Sequence, residues 1–207
     1  YLPPNLEELF IANNQLIGEV SLTLADLPLS WVILDYNALT ATDPTLITFL
    51  DGVNLGWDDT QTVPVNNLAT ANPADTSIDL TWTAINYTAD GGYYEVSYAT
   101  NPAGQWTVHG QTADKTVTGY SVINLTSGTT YYFRVQTHTP AHDTQQNDLW
   151  SEYSANVSEA TTGIALPIAP TVLTAMVVSE TQIDLSWTDN SSDETAFHIE
   201  RSPDGST

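Results

Sequence analysis

Two histidines four positions apart come nearest to a metal-binding pattern in this sequence. On a helix, His138 and His142 would place two imidazoles beside one metal ion. Pro140 lies between them, however, and the segment follows a strand-like run. We therefore predict a loop between two strands at this point, without a metal site.

An oxygen-rich run at 189–194 is the second candidate for a cation site. Its sequence, Asp-Asn-Ser-Ser-Asp-Glu, offers carboxylate and amide oxygens of the kind that calcium prefers. The run lacks the glycine and the twelve-residue spacing of a calcium-binding loop. We predict a solvated loop between strands.

Catalytic chemistry has no signature in the sequence. There is no Gly-x-Ser-x-Gly elbow, no glycine-rich loop before a helix, and no cysteine to act as a thiol nucleophile or zinc ligand. The carboxylates are spread over predicted strand faces and turns, whereas a catalytic pair needs a cleft and an apolar setting for one member. We predict no catalytic residue, no metal and no cofactor.

Strong negative charge narrows the possible partners. The 207 residues include 3 Lys+Arg and 25 Asp+Glu, which gives a formal charge of -22. Nucleic acids and anionic membrane surfaces are disfavoured as partners because both require clusters of Lys and Arg. No apolar run approaches the ~20 residues of a membrane-spanning helix. The acids are evenly distributed along the chain, so we expect soluble, monomeric modules.

An internal repeat of 23 residues organises the N-terminal part of the chain. Five apolar or asparagine positions recur at this offset. The first set is Leu6, Leu9, Ile11, Asn14 and Leu16, and the second is Leu29, Val32, Leu34, Asn37 and Leu39. Their alternation predicts a short strand buried on one face, followed by a turn in which an asparagine amide bonds the backbone. The pattern L-x-x-L-x-I-x-x-N-x-L resembles a leucine-rich repeat.

This resemblance implies a solenoid, in which each coil stacks on the next. One coil cannot bury its own apolar face, and about three are needed for stability. Only two are visible here, so we expect further repeats upstream and interpret the chain as a fragment of a longer protein.

A short amphipathic helix is predicted after the second repeat. Asp43 would be its N-cap, Pro44 its first residue and Gly52 its C-terminal stop. Leu46, Phe49 and Leu50 then share one face, which would close the end of the solenoid. The alternative is an ordinary connecting helix.

The outward residues of the two predicted strands are the candidate binding site. The resemblance to leucine-rich repeats implies that these residues lie on the concave surface, which is commonly the binding face. The candidates are Glu8, Phe10, Trp31, Ile33, Asp35 and Tyr36. Exposed aromatic side chains beside carboxylates are typical of recognition surfaces. The alternative is that Trp31 and Tyr36 only pack against the cap.

Residues 63–163 have the alternating pattern of a β-sandwich. Predicted strands cover 78–82, 94–98 and 132–137, with Trp82 in the core. The run Leu-Thr-Ser-Gly-Thr-Thr-Tyr at 125–131 resembles the tyrosine corner of fibronectin type III domains, and 150–153 and 160–162 are similar to their last strand.

A second copy of this module begins after a short linker at 164–170. Thr-Gln-Ile-Asp-Leu-Ser-Trp at 181–187 repeats Thr-Ser-Ile-Asp-Leu-Thr-Trp at 76–82, and a further strand is predicted at 197–201. We predict that residues 170–207 are poorly packed, because half a sandwich leaves its apolar side chains without an opposing sheet.

The expected protein is therefore mainly β: a leucine-rich-repeat end with a cap at 1–62, a fibronectin-type sandwich at 63–163, and a truncated second sandwich at 164–207. These resemblances imply a non-catalytic, extracellular or cell-surface protein of bacterial type that binds a protein or a glycan through the repeat face. One alternative is a set of accessory modules from a secreted polysaccharide- or protein-degrading hydrolase. The other is a stalk without a ligand.

Overall fold

The computed structural model describes residues 2–163 and 166–202. The chain divides into two compact units, residues 1–163 and residues 164–207. The predicted linker begins at 164–165, which lie outside the described residues, as do 203–207 at the end of the second module. In the part of the chain that is described, no helix is long and apolar enough to span a membrane.

Two parallel strand pairs form the N-terminal part of the first unit. They are built from β1 (Glu8–Phe10), β2 (Ile17–Glu19), β3 (Trp31–Ile33) and β4 (Ala38–Thr40). β1 lies parallel to β3, with Leu9 opposite Val32. β2 lies parallel to β4, with Gly18 opposite Leu39. The predicted side-by-side placement of 6–16 and 29–39, at the 23-residue offset, is confirmed by this register.

The apolar positions of the second repeat are buried in one core, and three of the first repeat pack against it, whereas Leu16 remains 39% exposed. A 3-10 helix, Leu22–Asp26, contributes the buried Leu24 to this core. The fully buried members of this core are Val32, Leu34, Leu46 and Leu50. Leu9 and Ile11 are only partly buried, because an open apolar cavity of about 750 Å³ lies beside them.

A single α-helix, α1 (Pro44–Val53), follows the second strand pair. The Asp43 side chain accepts hydrogen bonds from the backbone N–H groups of Thr45 (2.8 Å) and Leu46 (3.2 Å), so the predicted N-cap is confirmed. The predicted stop at Gly52 is wrong. The helix passes through Gly52, and the backbone N–H of Asn54 closes the last turn on the Leu50 carbonyl (2.7 Å).

Two sheets then form a β-sandwich. Its strands are β5 (Asn66–Ala71), β6 (Ile78–Thr83), β7 (Tyr93–Ala99), β8 (Thr107–Gln111), β9 (Gly119–Val122), β10 (Thr130–Thr139), β11 (Leu149–Trp150) and β12 (Val157–Ala160). One sheet has the order β5-β6-β9. The other has the order β11-β10-β7-β8, with β12 also paired to β10. This topology places the two ends of β10 beside β11 and β12.

The sandwich core follows the alternation of β6. Ile78, Leu80 and Trp82 are buried, while the residues between them face outward. Tyr131 begins the buried part of β10, and its hydroxyl accepts a hydrogen bond from the Thr126 backbone N–H (2.9 Å). This is the geometry of a tyrosine corner, as the sequence predicts.

The second unit contains one antiparallel hairpin, β13 (Thr171–Ser179) with β14 (Gln182–Thr188). Its apolar side chains are open to solvent; Val177 is 75% exposed and Ile183 is 59% exposed. The strand predicted at 197–201 is not formed. In the first module the corresponding β7 is held between β8 and β10, and the described part of the second unit offers no such neighbours.

Candidate functional site

Four of the six candidate side chains lie on the outward face of β1 and β3. Glu8 is in register with Trp31, and Phe10 is in register with Ile33. The rings of Phe10 and Trp31 meet edge to face, with centroids 5.2 Å apart and planes at 87°. Phe10 is 52% exposed and Trp31 is 55% exposed. We call these four residues the β1–β3 face.

Backbone pairing fixes the orientation of this face. Leu9 and Val32 point inward, so their strand neighbours must point outward. The pairing extends beyond the strands, because Ser30 N–H donates to the Glu7 carbonyl (2.8 Å) and Ile11 N–H donates to the Ile33 carbonyl (3.0 Å). Phe10 and Trp31 are therefore held by a continuous parallel ladder.

A buried amide ladder supports the turns behind the face. The Asn37 amide donates to the carbonyls of Ile11 (3.0 Å) and Leu34 (2.8 Å), and its oxygen accepts from Leu16 N–H (3.1 Å). Asn37 is fully buried. Asn37 thus satisfies backbone groups of both repeat segments, as predicted for this asparagine.

Gln61 continues the ladder, and the sequence analysis missed it. Its amide donates to the carbonyls of Leu34 (2.9 Å) and Trp57 (2.9 Å), while its oxygen accepts from Leu39 N–H (3.0 Å). These bonds repeat those of Asn37 with each partner shifted by 23 residues along the chain. Its position, 24 residues after Asn37, could have identified it as the next member of the series. It was missed because the residue is glutamine, whereas the repeat pattern has asparagine.

The other two candidate residues lie elsewhere. The Asp35 carboxylate accepts hydrogen bonds from Thr60 Oγ1 (3.4 Å) and Asn54 Nδ2 (3.5 Å). Tyr36 has a left-handed backbone (φ 55°), which turns its ring away from the strands. The Tyr36 ring packs against Tyr87 of the sandwich (centroids 5.9 Å apart). We therefore restrict the candidate face to its four strand residues.

A loop of the sandwich docks onto the repeats. Gln145, in the segment between β10 and β11, is fully buried. Its amide donates to the backbone carbonyls of Asn14 (2.9 Å) and Tyr36 (2.7 Å), and its oxygen accepts from Asn147 N–H (2.8 Å). Repeats and sandwich consequently belong to one compact unit. No local pattern in the sequence marks Gln145 for this role.

A buried lysine lies beneath this junction. The Lys115 ammonium donates to Thr139 Oγ1 (2.9 Å) and lies 4.0 Å from the centroid of the Tyr87 ring. Thr62 Oγ1 donates to the same Thr139 oxygen (2.8 Å). Burial lowers the pKa of Lys115 to about 8, against the opposing attraction of Asp90. Burial also raises the pKa of Tyr87, whose hydroxyl donates to the Asp90 carboxylate (2.6 Å).

The two candidate histidines occupy different environments. His138 lies between the rings of Tyr93 (centroids 4.8 Å apart) and Trp150 (4.4 Å apart), and burial lowers its pKa. His142 instead packs on Tyr36, with centroids 5.5 Å apart. The two imidazoles therefore do not share a ligand position. Among residues 2–163 and 166–202 no group of His, Cys, Asp and Glu side chains is arranged to hold a metal ion.

Two side chains of the oxygen-rich run at 189–194 form hydrogen bonds with backbone groups, one inside the run and one outside it. The Asp189 carboxylate accepts from Ser191 N–H (3.2 Å), and the Asn190 amide donates to the Ala169 carbonyl (2.9 Å). The first bond is that of a turn after β14, and the second ties the run to the segment before β13.

Residues 63–156 match the family model of the fibronectin type III domain. No curated protein matches the chain. Solved structures similar to it include a crystal structure of domains A168-A170 from titin (26% identity, 46% of this chain and 31% of that chain, TM-score 0.34). The chain thus spans about a third of that titin structure.

Two further similar structures are fibronectin type III or β-sandwich proteins. One is the solution structure of a fibronectin type III domain derived from human KIAA0970 protein (11% identity, 62% of this chain and 90% of that chain, TM-score 0.41). The other is a computer-redesigned β-sandwich protein (20% identity, 49% of this chain and 97% of that chain, TM-score 0.34). The family-model match thus supports a fibronectin type III domain at residues 63–156.

Proposed function

We propose that this chain is a non-catalytic recognition module of an extracellular or cell-surface protein. In this proposal residues 1–62 are the end of a leucine-rich-repeat solenoid, and the β1–β3 face binds an extracellular protein or glycan. The fibronectin type III domain holds that face in a fixed position. Such domains are typically spacers or binding modules of extracellular proteins.

The exposed pair of Phe10 and Trp31 carries the proposal. More than half of each side chain is open to solvent, although both rings are large and apolar. A structural role would bury them, because covering apolar surface contributes about 25 cal/mol per Å² to stability. Clustered, rigidly held aromatic side chains are instead the residues that contribute most to binding energy at interfaces.

The repeat interpretation is supported by one backbone feature and one set of side-chain hydrogen bonds. β1 and β3 pair in parallel at the offset of 23 residues that the sequence repeats. Asn37 and Gln61 then make the same set of bonds in successive coils. In solenoids this arrangement leaves one strand face free along the stack, and that face is where residues vary for binding.

The supporting role of the sandwich rests on the docked loop. Gln145 bonds to two different coils of the repeats, so it restrains each relative to the sandwich. A flexible linker would allow the face to reorient, whereas this junction holds it. A rigid spacer function is consistent with the same contacts.

Screening of the 207-residue protein on glycan and extracellular-protein arrays tests the proposal. The comparison variant is Phe10→Ala with Trp31→Ala. The matched control is Leu22→Ala, which removes an apolar side chain of similar exposure (48%) from the 3-10 helix. We expect array signals that the double variant loses and the control keeps, with unchanged circular dichroism. Identical binding by all three proteins would reject the β1–β3 face as the site.

A further inference from the structure

We infer that the β1–β3 face binds an arginine-bearing basic segment of a partner protein. The guanidinium would lie against the Phe10 and Trp31 rings, and the Glu8 carboxylate would pair with its charge. This inference rests on the proposed function and narrows its ligand to one class.

The charge of the repeat segment is the first support. Residues 1–62 contain nine acidic side chains and no Lys, Arg or His. The acids are Glu7, Glu8, Glu19, Asp26, Asp35, Asp43, Asp51, Asp58 and Asp59. A surface of this sign attracts a cationic partner and repels an anionic one, so sulfated glycans and nucleic acids are disfavoured.

Glu8 is available for such a pairing. It is exposed, it lies in register with Trp31, and within the described residues no hydrogen bond or ion pair engages its carboxylate. An edge-to-face ring pair uses only one ring face in its mutual contact. The remaining faces of Phe10 and Trp31 carry the negative side of the ring quadrupole, which attracts a cation.

The two cationic side chains of residues 1–163 make the same kind of contact with aromatic rings. The Arg134 guanidinium lies 3.5 Å from the Tyr153 ring centroid and 4.2 Å from that of Trp106. Lys115 lies on the Tyr87 ring. Every Lys and Arg of residues 1–163 is therefore already stacked on an aromatic ring of the sandwich. The β1–β3 face has the rings and the carboxylate but no cation of its own.

The composition of the β1–β3 face also favours a basic peptide over a neutral sugar as the ligand. Glu8 is its only charged side chain, next to Phe10, Trp31 and Ile33. A sugar ring presents hydroxyl groups in several directions, and most of them would lack a partner here. An arginine presents an apolar stem and one charged end, which fit an apolar patch beside one carboxylate.

Binding of the peptide acetyl-(Arg)4-amide to the 207-residue protein tests the inference. The uncharged control is the same peptide with citrulline in place of arginine. We expect the arginine peptide to bind more tightly, and Phe10→Ala with Trp31→Ala to weaken it by about 5–10-fold. Glu8→Gln should weaken it by about 2–3-fold at low salt. Fluorescence anisotropy of labelled peptide, at ~0.05 M salt, provides the readout.

Two control variants separate the face from the general negative charge. Asp51→Asn makes the same charge change as Glu8→Gln but on α1, and Leu22→Ala removes an exposed apolar side chain outside the face. We expect both to bind the arginine peptide within about 1.5-fold of the wild type.

Three results of the peptide assay would overturn the inference. These are equal binding of the citrulline peptide, an effect of Asp51→Asn as large as that of Glu8→Gln, and no loss in the aromatic double variant. A neutral glycan that binds through Phe10 and Trp31 would also overturn it, but would leave the proposed function intact. If no ligand binds Phe10→Ala with Trp31→Ala more weakly than it binds the wild type, the proposed function is rejected instead.

Discussion

The buried Lys115 ammonium should make the stability of the first unit rise with pH. Its side chain is fully buried, with Thr139 Oγ1 as its hydrogen-bond acceptor and the Tyr87 ring beside it. The Asp90 carboxylate raises its pKa, but by less than burial lowers it. Folding therefore disfavours the charged form of this lysine.

The sign follows from the two pKa values. The pKa of Lys115 falls from 10.5 to about 8 on folding, so between these values the unfolded chain binds more protons than the folded one. The free energy of unfolding must then increase as pH rises from about 8 toward about 10.5. At 1.36 kcal/mol per pKa unit the gain is about 3 kcal/mol at most, and we expect about 1–3 kcal/mol. Below about pH 8 the full penalty applies.

Urea denaturation of the wild type and of Lys115→Met, at several pH values from 7 to 10, measures this effect. We expect the wild type to gain stability relative to the variant over this range. The quantity to compare is the difference in the free energy of unfolding between the two proteins. Burial also raises the pKa of Tyr87 and Tyr94, and this lowers the stability of both proteins above about pH 10. Replacing the lysine by methionine removes a buried charge and keeps a side chain of similar volume. Lys115→Met should therefore be at least as stable as the wild type at pH 7.

Thr139→Val is a second test at the same site, and unlike Lys115→Met it should lower the free energy of unfolding. It leaves the Lys115 ammonium and the Thr62 hydroxyl without their shared acceptor, and should cost about 1–3 kcal/mol at pH 7. The reasoning is refuted if the wild type and Lys115→Met show parallel stability curves between pH 7 and 10. It is also refuted if Lys115→Met is the less stable protein at pH 7 by several kcal/mol.

Four further outcomes are expected. Gln145→Ala should lower the free energy of unfolding by about 1–3 kcal/mol, because two backbone carbonyls of the repeats lose their hydrogen-bond donor. Calorimetry measures this loss and also shows whether the repeats then unfold before the sandwich. Gly92→Ala should cost about 2–4 kcal/mol in urea denaturation, because φ is +94° and a Cβ atom would meet the His138 carbonyl oxygen. Gly52→Ala, whose Cβ would meet nothing, should instead stabilise α1 by up to about 1 kcal/mol. Limited proteolysis followed by mass spectrometry should cut within 166–202 before it cuts 65–163, and equal resistance of the two would contradict our description of the second unit.

Much of the local structure could be predicted from the sequence. The 23-residue offset set the register of β1 on β3, Asp43 and Pro44 marked the start of α1, and the alternation around Trp82 identified the core strand β6. These features depend on side-chain periodicity and on groups a few residues apart. For the same reason the sequence identified the outward residues Phe10 and Trp31.

The remaining features depend on contacts between distant parts of the chain. Gln145 bonds to a carbonyl 131 residues away, and Tyr36 packs on the sandwich and not beside Phe10, although both follow repeat strands. The burial of Lys115 likewise results from the docking of separate elements. No periodic pattern encodes such contacts, because they depend on the path of loops and on which polar groups are left to satisfy once the strands have packed. The sequence by itself determined which residues face outward on each strand, and only the tertiary structure decided which of them share a surface.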